Sequence, residues 1–280
     1  MTDKQSSWTR IALPLCLLAT GLILGTMQSV YNAGTYMQTW LIHVDHPATY
    51  KFTTYDQLLQ KHVKGGLIDY SSLHHDTRLL KQAVNEIKHI SPDRISTAEA
   101  QLSFWRNSYN LLVVQNVVDH YPLSSINDLP ETARLREFVV GGKAYSLENI
   151  ENWEIRPRLT GTNVKALFTI CSGARGYPRI GYHALDPTHF QDEIRTATEA
   201  FVNNPENVFY DSNTSAFYLS LFFKWNENLL VTDYDSTFSF ANDYLNADLR
   251  LDLQSNKIKK TYLPSFDWRL NDTPDSDVKG

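Results

Sequence analysis

The sequence predicts an α+β fold: one compact domain of mixed helix and sheet behind an N-terminal apolar segment. Helical patterns outnumber strand patterns, and their order is not the regular alternation that a doubly wound parallel sheet requires. No repeat, low-complexity stretch or linker rich in Gly, Pro or Ser interrupts residues 49–272, and 280 residues suffice for one large core. We therefore predict one domain over residues 52–272, a linker over residues 34–51 and a polar tail over residues 273–280.

Residues 1–33 are predicted to form a signal anchor, a transmembrane helix that stays attached. Lys4 and Arg10 precede an apolar run from Ile11 to Met27, and no charge follows until Asp45. The run has 17 residues, slightly long for a signal-peptide core and at the lower end for a membrane span. Because no convincing small-x-small cleavage site follows, we favour an uncleaved anchor over a cleaved signal or a buried N-terminal helix. The preceding positive charge places the body on the extracytoplasmic, periplasmic side.

The composition argues against several classes of function. With 26 basic and 31 acidic residues, and no Lys or Arg cluster outside the N-terminus, the chain is not expected to bind nucleic acid. Cys16 lies in the apolar run, so it and Cys171 cannot make a disulfide framework inside the body. The stretches His43–His46 and His74–Asp76 lack the spacing of a closed metal site, and no nucleotide-binding glycine loop occurs. We expect no metal and no cofactor.

The first long element is predicted to be a buried helix over STAEAQLSFWRNSYNLLVVQNVVDHYP. Ser96, Thr97 and Glu99 supply a helix-start signal, and apolar residues continue at helical spacing until Pro122. This length and apolar content indicate a helix at the centre of the core.

The segment REFVVGGKAYSLENIENWEI predicts a strand, a turn at Gly141-Gly142, a second short strand and a helix from about Ser146. Glu148 and Glu151 fall in the first turns of that helix, as at a capped N-terminus. NVKALFTI, residues 163–170, fits a buried strand because it is a short apolar run.

The remaining elements are shorter. DPTHFQDEIRTATEAFVNN predicts a helix with Pro187 in its first turn and a polar stop at Asn203 and Asn204. Strand candidates follow at NVFY and AFYLS, then the helical segments SLFFKWNENLL and STFSFANDYLN, and finally TYLPSFDWRLN.

Five phrases in this order resemble one family, catalogued as domain of unknown function 547 and found in many bacteria and in some plant and animal proteins. The phrases are YDQLLQKHVKGGLIDYSSL, FWRNSYNLLVVQNVVDHYPLSSI, VGGKAYSLENIENWEIRP, CSGARGYP and SFDWRLN. The resemblance runs from about Phe52 to Asp272. Because the family has no well-established activity, the resemblance implies a fold more than a function.

The sequence departs from the family pattern at positions that carry chemistry. Members often have a histidine after the phrase that matches Ile150-Glu151, where this chain has Asn152, and another in the strand before the cysteine-containing turn. The turn's second cysteine is replaced by Tyr177, and either Cys171 or Ser172 stands for the first. The resemblance therefore implies a degenerate, active-site-like cleft that lacks most of a thiol enzyme's groups.

Cys171 and Ser172 are the candidate nucleophiles. A cysteine nucleophile needs partial exposure and a lowered pKa, which a cation, a histidine or backbone amides can supply. Arg175 and the glycine-rich turn are near in sequence, but a histidine such as His183 or His189 would have to fold back. The alternative, which we favour, is that Cys171 is an inert buried residue.

Glu151, Arg156, Arg175, Asn110 and Asp267 are the candidate ligand-binding residues. Arginines that converge near the turn would suit a carboxylate or phosphate, whereas ordinary ion pairs with neighbouring glutamates explain them equally well. Asn110, on an apolar helix, either ties that helix to a loop or points into a pocket, and the tie is favoured. Asp267 is either a capping residue or a pocket acid.

These residues lead to three hypotheses for the function. The first is a membrane-anchored, extracytoplasmic binding or accessory module whose partner is a small anionic ligand or an envelope protein. The second is a cell-envelope hydrolase or transferase with Cys171 or Ser172 as nucleophile. The third is a structural partner of another membrane protein. An enzyme needs a histidine within hydrogen-bonding reach of its nucleophile, and a binding module needs converging polar groups in an open site.

Overall fold

The computed structural model describes residue 29 and residues 32–254 and 258–274. Almost all of the predicted anchor, residues 1–33, and most of the predicted tail, residues 273–280, lie outside this description. Within it, no helix combines the length and the apolar character that crossing a membrane requires. The described residues form many helices and a few small sheets, which confirms the predicted mixture of helix and sheet.

The helices vary widely in length and surround one long central helix. The α-helices are α1 (32–41), α2 (Thr53–His62), α3 (Tyr70–His75), α4 (Arg78–Lys88), α5 (Ala98–Val118), α6 (Glu131–Arg134), α7 (Leu147–Asn149), α8 (Phe190–Val202), α9 (Leu221–Trp225), α10 (Glu227–Leu230), α11 (Thr237–Asn242) and α12 (Ala247–Gln254). A π-helix, Ile150–Ile155, continues α7, and 3₁₀ helices cover Pro92–Arg94, Ile126–Asp128, Arg156–Arg158 and Gly161–Thr169.

The strands pair into small sheets at the edges of the helical core. They are β1 (Val63–Lys64), β2 (Leu67–Ile68), β3 (Glu137–Val140), β4 (Lys143–Ser146), β5 (Val208–Asp211), β6 (Ala216–Leu219) and β7 (Lys259–Tyr262). β1 pairs with β2 and β3 with β4, both antiparallel. β5 and β6 form an antiparallel hairpin, and β7 adds parallel to β6. The helices between β6 and β7 supply the long connection that a parallel pair requires.

Helix α5 lies in the core, as predicted. Sixteen of its 21 residues are buried, which is the pattern of a helix covered on all sides by other elements. Helix α4 and the π-helix both pack against it. Its start is also as predicted, since Thr97 Oγ1 accepts a hydrogen bond from the backbone N–H of Ala100 at 3.1 Å.

The predicted hairpin is confirmed in β3 and β4. Val140 pairs with Lys143, and the two residues between them are Gly141 at φ 54° and Gly142 at φ 74°. Two consecutive residues with positive φ match the tight turn that joins right-twisted antiparallel strands. A β-carbon at Gly142 would lie only 2.5 Å from Val44 Cγ2, so the chain before the domain also packs against this turn.

Two sequence predictions for the following segment are wrong. NVKALFTI is not a strand, because most of it belongs to the 3₁₀ helix Gly161–Thr169, which packs closely against α8. A short apolar run that is buried on several sides has no periodicity to separate a strand from a helix. Pro187 is not in the first turn of α8, since that helix begins at Phe190.

Part of the segment predicted as a linker, residues 34–51, is bonded to the body. The backbone N–H of Asp45 donates to the carbonyl of His89 at 2.7 Å, and the N–H of Ser91 donates back to the carbonyl of Asp45 at 2.9 Å. The N–H of Ser96 donates to the carbonyl of Ala48 at 3.1 Å. Residues 45–48 are thus bonded to the body.

The C-terminal segment positions the turn that contains Cys171. The N–H of Arg175 donates to the carbonyl of Arg269, and the N–H of Asn271 donates to the carbonyl of Gly173, each at 2.9 Å. Two phrases that are almost 100 residues apart in sequence, CSGARGYP and FDWRLN, therefore run side by side. This pairing fixes the direction in which each side chain of the turn points.

Candidate functional site

Cys171 points into the core. Its side chain is 1% exposed, its backbone N–H donates to Asn110 Oδ1 at 3.0 Å, and its Sγ accepts from Asn271 Nδ2 at 3.1 Å. Burial raises the pKa of the Cys171 thiol, although the Gly173 N–H and the Arg106 guanidinium act in the opposite direction. Exposure and a lowered pKa are the two requirements for a cysteine nucleophile, and Cys171 has neither. The geometry matches the inert buried residue that the sequence favours.

We expect Cys171 to resist alkylation in the native protein. In a Cys16→Ser variant, where Cys171 is the only thiol, iodoacetamide should label it rapidly in urea and far more slowly in buffer, because the folded chain shields the sulfur. The measurement is the labelling rate between pH 6 and pH 9. Fast native labelling with an apparent pKa below the ordinary value of about 8.5 would contradict the buried assignment.

Ser172 is partly exposed and belongs to a chain of polar contacts. Its Oγ lies 3.1 Å from Tyr109 Oη, which donates to Glu151 Oε2 at 3.4 Å. Arg156 Nη1 donates to Glu151 Oε1 and to Asn226 Oδ1, each at 3.1 Å. We call these five residues the Ser172 cluster. Ser172, Glu151 and Arg156 are partly exposed, so the cluster reaches solvent.

Four different elements bring the Ser172 cluster together. Tyr109 comes from the buried helix α5, and Ser172 from the turn after the 3₁₀ helix. The π-helix carries Glu151 and leads directly into Arg156, while Asn226 lies at the junction of α9 and α10. The helix before Glu151 begins at Ser146, whose Oγ accepts from the N–H of Asn149 at 3.0 Å in a capping box. The Glu151 carboxylate is thus presented by a capped, well-fixed helix.

Ser172 has no base in this arrangement. Burial, reinforced by the Glu151 charge, raises the pKa of Tyr109 well above its ordinary value, so its hydroxyl stays protonated at neutral pH. Elsewhere in the described ranges, His183 bonds to Gln60, and His189 bonds to its neighbour Thr188. Across those ranges, no histidine hydrogen-bonds to Cys171 or Ser172. An activated serine needs such a partner.

Aromatic rings form a surface beside the Ser172 cluster. Tyr177, Trp225, Phe266 and Trp268 lie in mutual contact, and we call them the aromatic wall. Ring centroids are 5.1 Å apart for Tyr177 and Phe266, 4.7 Å for Trp225 and Phe266, and 5.7 Å for Trp225 and Trp268. Trp225 is 43% exposed and Trp268 37% exposed.

The aromatic wall is continuous with the polar groups. Trp225 directly precedes Asn226, and Tyr177 is in the same turn as Ser172. Burial and the Glu151 charge raise the pKa of Tyr177 to about 12. Arg156, the ion-pair partner of Glu151, bonds to Asn226, the neighbour of Trp225. A molecule in contact with Glu151 can therefore also touch an aromatic face.

The arginines near the turn all have protein partners. Arg156 pairs with Glu151, Arg158 Nη1 lies 3.2 Å from Glu154 Oε2, and Arg179 Nη2 lies 2.8 Å from Glu206 Oε2. The fourth, Arg175, donates to the carbonyls of Leu270 at 3.2 Å and Asp272 at 2.9 Å, which ties the turn to the C-terminal segment. This pattern matches ordinary ion pairs and structural ties, the alternative that the sequence left open.

Two further sequence candidates lie outside the Ser172 cluster. Asn110 is fully buried, and its Nδ2 donates to the Thr169 carbonyl at 3.0 Å while its Oδ1 accepts from Cys171, so it ties α5 to the turn. Asp267 accepts from Arg269 Nε at 2.9 Å, and this hydrogen bond lowers the pKa of its carboxyl group. The structure thus brings Glu151, Arg156 and Ser172 together, whereas Asn110 and Asp267 are not part of that cluster.

Sequence reasoning did not assign Tyr109, Asn226 or Tyr177 to a site. Tyr109 stands out only as an aromatic on a helix, and Asn226 is 70 residues from its partner Arg156. Tyr177 had a signal, its position at the family's second cysteine. The described residues contain no group of three or more His, Cys, Asp or Glu side chains arranged to hold a metal ion.

Comparison with known families gives one match. Residues 92–202 match the model of the family described as Protein of unknown function, DUF547, so the resemblance predicted from the sequence is confirmed over that range. The matched range contains four members of the Ser172 cluster, whereas Asn226, Trp225, Phe266 and Trp268 lie beyond it. No curated protein and no solved structure matches the chain.

Proposed function

We propose that this chain is a ligand-binding module whose Ser172 cluster and aromatic wall hold a neutral, hydroxyl-rich ligand such as a saccharide unit. The observation that carries the proposal is the union of a partly exposed Glu151–Arg156 pair, the Ser172 hydroxyl and exposed tryptophans, with the buried Tyr109 hydroxyl beneath them. Binding sites commonly combine a few convergent polar groups with aromatic surface.

The charge of the site favours a neutral ligand. The Glu151 carboxylate neutralises the Arg156 guanidinium at 3.1 Å, so an incoming anion gains little attraction and meets a negative group as well. A sugar hydroxyl both donates and accepts, and it can bond to the carboxylate and the guanidinium at once. The C–H groups on a pyranose face are apolar and pack against aromatic rings such as Trp268.

The absence of a base for Ser172 supports binding rather than hydrolysis. Because Tyr109 keeps its proton and Glu151 is paired, the cluster offers hydrogen bonds but no group to activate the serine. The module is proposed to act outside the cytoplasm, held by the apolar segment that the sequence predicts as an anchor.

The test is a titration in which chitobiose is added to the full-length chain in detergent. Binding is monitored by tryptophan fluorescence. We expect a saturable change, because Trp225 and Trp268 lie at the site. Glu151→Gln should weaken binding about tenfold or more, since the loss of one charge-assisted hydrogen bond costs about 1.5–3 kcal/mol. Trp268→Ala should weaken it comparably.

Trp153→Ala is the matched control for this titration. Trp153 is 66% exposed on the same π-helix as Glu151 and is outside the aromatic wall, so its removal should leave the affinity unchanged. Phosphate is the second probe. Saturable binding of phosphate without binding of chitobiose would overturn the neutral ligand in favour of a small anion, and binding of neither would argue against this site.

A further inference from the structure

Helix α1, over residues 32–41, carries its apolar side chains on the outside. Tyr36 is 51% exposed, Met37 68%, Trp40 88% and Leu41 85%. These positions follow the spacing i, i+1, i+4 and i+5, so they share one face of the helix. Four of the ten large hydrophobic side chains that are exposed in the described residues thus lie within six consecutive positions.

The opposite side of α1 is bonded to the body. Thr35 Oγ1 donates to the carbonyl of Glu137 at 3.4 Å, and Lys88 Nζ donates to Gln38 Oε1 at 3.2 Å. Tyr36 adds a hydrogen bond from its hydroxyl to Glu137 Oε1 at 3.2 Å. A surface helix of a soluble domain normally turns its apolar face to the core. In α1 the apolar face points away from the body instead. This orientation indicates that a surface other than the body covers that face.

We propose that the face formed by Tyr36, Met37, Trp40 and Leu41, the outer face of α1, lies in the interfacial region of a lipid bilayer. The sequence just before it supplies the reason, because the apolar run Ile11–Met27 ends only nine residues before Tyr36. A membrane span that ended at Met27, as the sequence predicts, would leave α1 close to the depth of the lipid headgroups. Trp and Tyr are the side chains that concentrate at that depth.

The charge pattern agrees with a lipid surface. No charged residue occurs between Arg10 and Asp45, so α1 itself carries no ionised side chain into the interface, and the Glu137 carboxylate that Tyr36 contacts belongs to the body. Since the other side of α1 is bonded through Glu137 and Lys88, the interfacial contact would also hold the body in a fixed orientation above the membrane.

The experiment uses the full-length chain in phosphatidylcholine vesicles whose acyl chains are brominated, so that a tryptophan in the bilayer loses its fluorescence. Trp40→Phe is compared with Trp153→Phe, a similarly exposed tryptophan on the body, and Trp8 is common to both. We expect bromolipid-quenchable emission to fall in Trp40→Phe and to stay unchanged in Trp153→Phe.

Acrylamide, an aqueous quencher, shows whether Trp40 is surrounded by water or covered by protein when it is not in lipid. If both variants lose the same bromolipid-quenchable emission, or the chain does not associate with vesicles, the proposal is overturned. Trp40 emission that is open to acrylamide but not to bromolipid would mean that the outer face of α1 stays in water. Trp40 emission that is shielded from both quenchers would assign the face to a second copy of the chain or another protein, which also overturns the lipid assignment.

Discussion

Replacing Phe168 by alanine is expected to lower the free energy of unfolding by about 3–5 kcal/mol, the usual cost of removing a buried phenylalanine ring. Phe168 is 1% exposed and lies where the 3₁₀ helix, α8, α9 and α11 meet. Its ring is stacked on Phe240 at 5.5 Å and 8°, and it contacts Phe201 at 5.4 Å and Phe222 at 5.5 Å.

The measurement is urea unfolding of the wild-type protein and the Phe168→Ala variant, with Phe209→Ala as the control. Phe209 is partly exposed on β5 and stacks on Tyr218 at 5.0 Å, so its loss should cost only about 1 kcal/mol. Equal losses at the two positions would mean that Phe168 is not at the centre of the core. Most domains are stable by only about 5–15 kcal/mol. The unfolding curve of the Phe168→Ala variant is therefore recorded at a temperature at which its folded baseline is visible.

Phe168 also shows why one element was predicted wrongly. The mainly apolar run Ala166 to Ile170 has no alternation, and a short strand and a short helix cannot be distinguished by periodicity when neighbours cover every side. Its conformation is decided by the packing of the 3₁₀ helix on α8 and by the aromatic rings from residues 201–240, which no local pattern reveals.

Elements with local signals were predicted correctly. Helix α5 is capped by Thr97 and carries apolar residues at helical spacing, and the hairpin turns at Gly141-Gly142, where two positive φ angles need glycine. These features act over a few residues, so the sequence alone carries them. The mixed fold class follows from the same local patterns.

The contacts of the candidate site are also of two kinds, those local in sequence and those made only by tertiary packing. Glu151 and Arg156 are only five residues apart, so the sequence could offer their ion pair as one alternative, although the π-helix Ile150–Ile155 between them was not predicted. Tyr109 and Asn226 join them only through tertiary packing. Of the two alternatives that the sequence left open for the arginines, Arg175 shows a structural tie, because its guanidinium donates to the C-terminal backbone across 95 residues.

The second large effect is expected at Asn110. Replacement by alanine should cost about 2–4 kcal/mol of unfolding free energy, because it leaves a buried donor unpaired and opens a small cavity. The donor is the backbone N–H of Cys171, whose acceptor is Asn110 Oδ1 at 3.0 Å. The Thr169 carbonyl keeps a partner, since Arg106 Nε also donates to it at 3.0 Å. The loss is therefore concentrated at the turn that presents Ser172.

Asn116→Ala is the matched control, since Asn116 is the same residue type on the same helix and is 2% exposed. Its Nδ2 donates only to the Ala133 carbonyl at 3.0 Å, and its Oδ1 has no partner in the described fold. Alanine therefore removes one buried unpaired atom, and the Ala133 carbonyl keeps the Arg136 N–H at 3.4 Å. We expect a cost of about 1 kcal/mol. Chemical denaturation of the two variants decides the matter: if Asn116→Ala is as destabilising as Asn110→Ala, then Asn110 stabilises the helix rather than the turn. A larger loss of unfolding free energy in Asn110→Ala would show that the hydrogen bonds of Asn110 between α5 and the turn stabilise the fold. The same hydrogen bonds hold Ser172 against Tyr109.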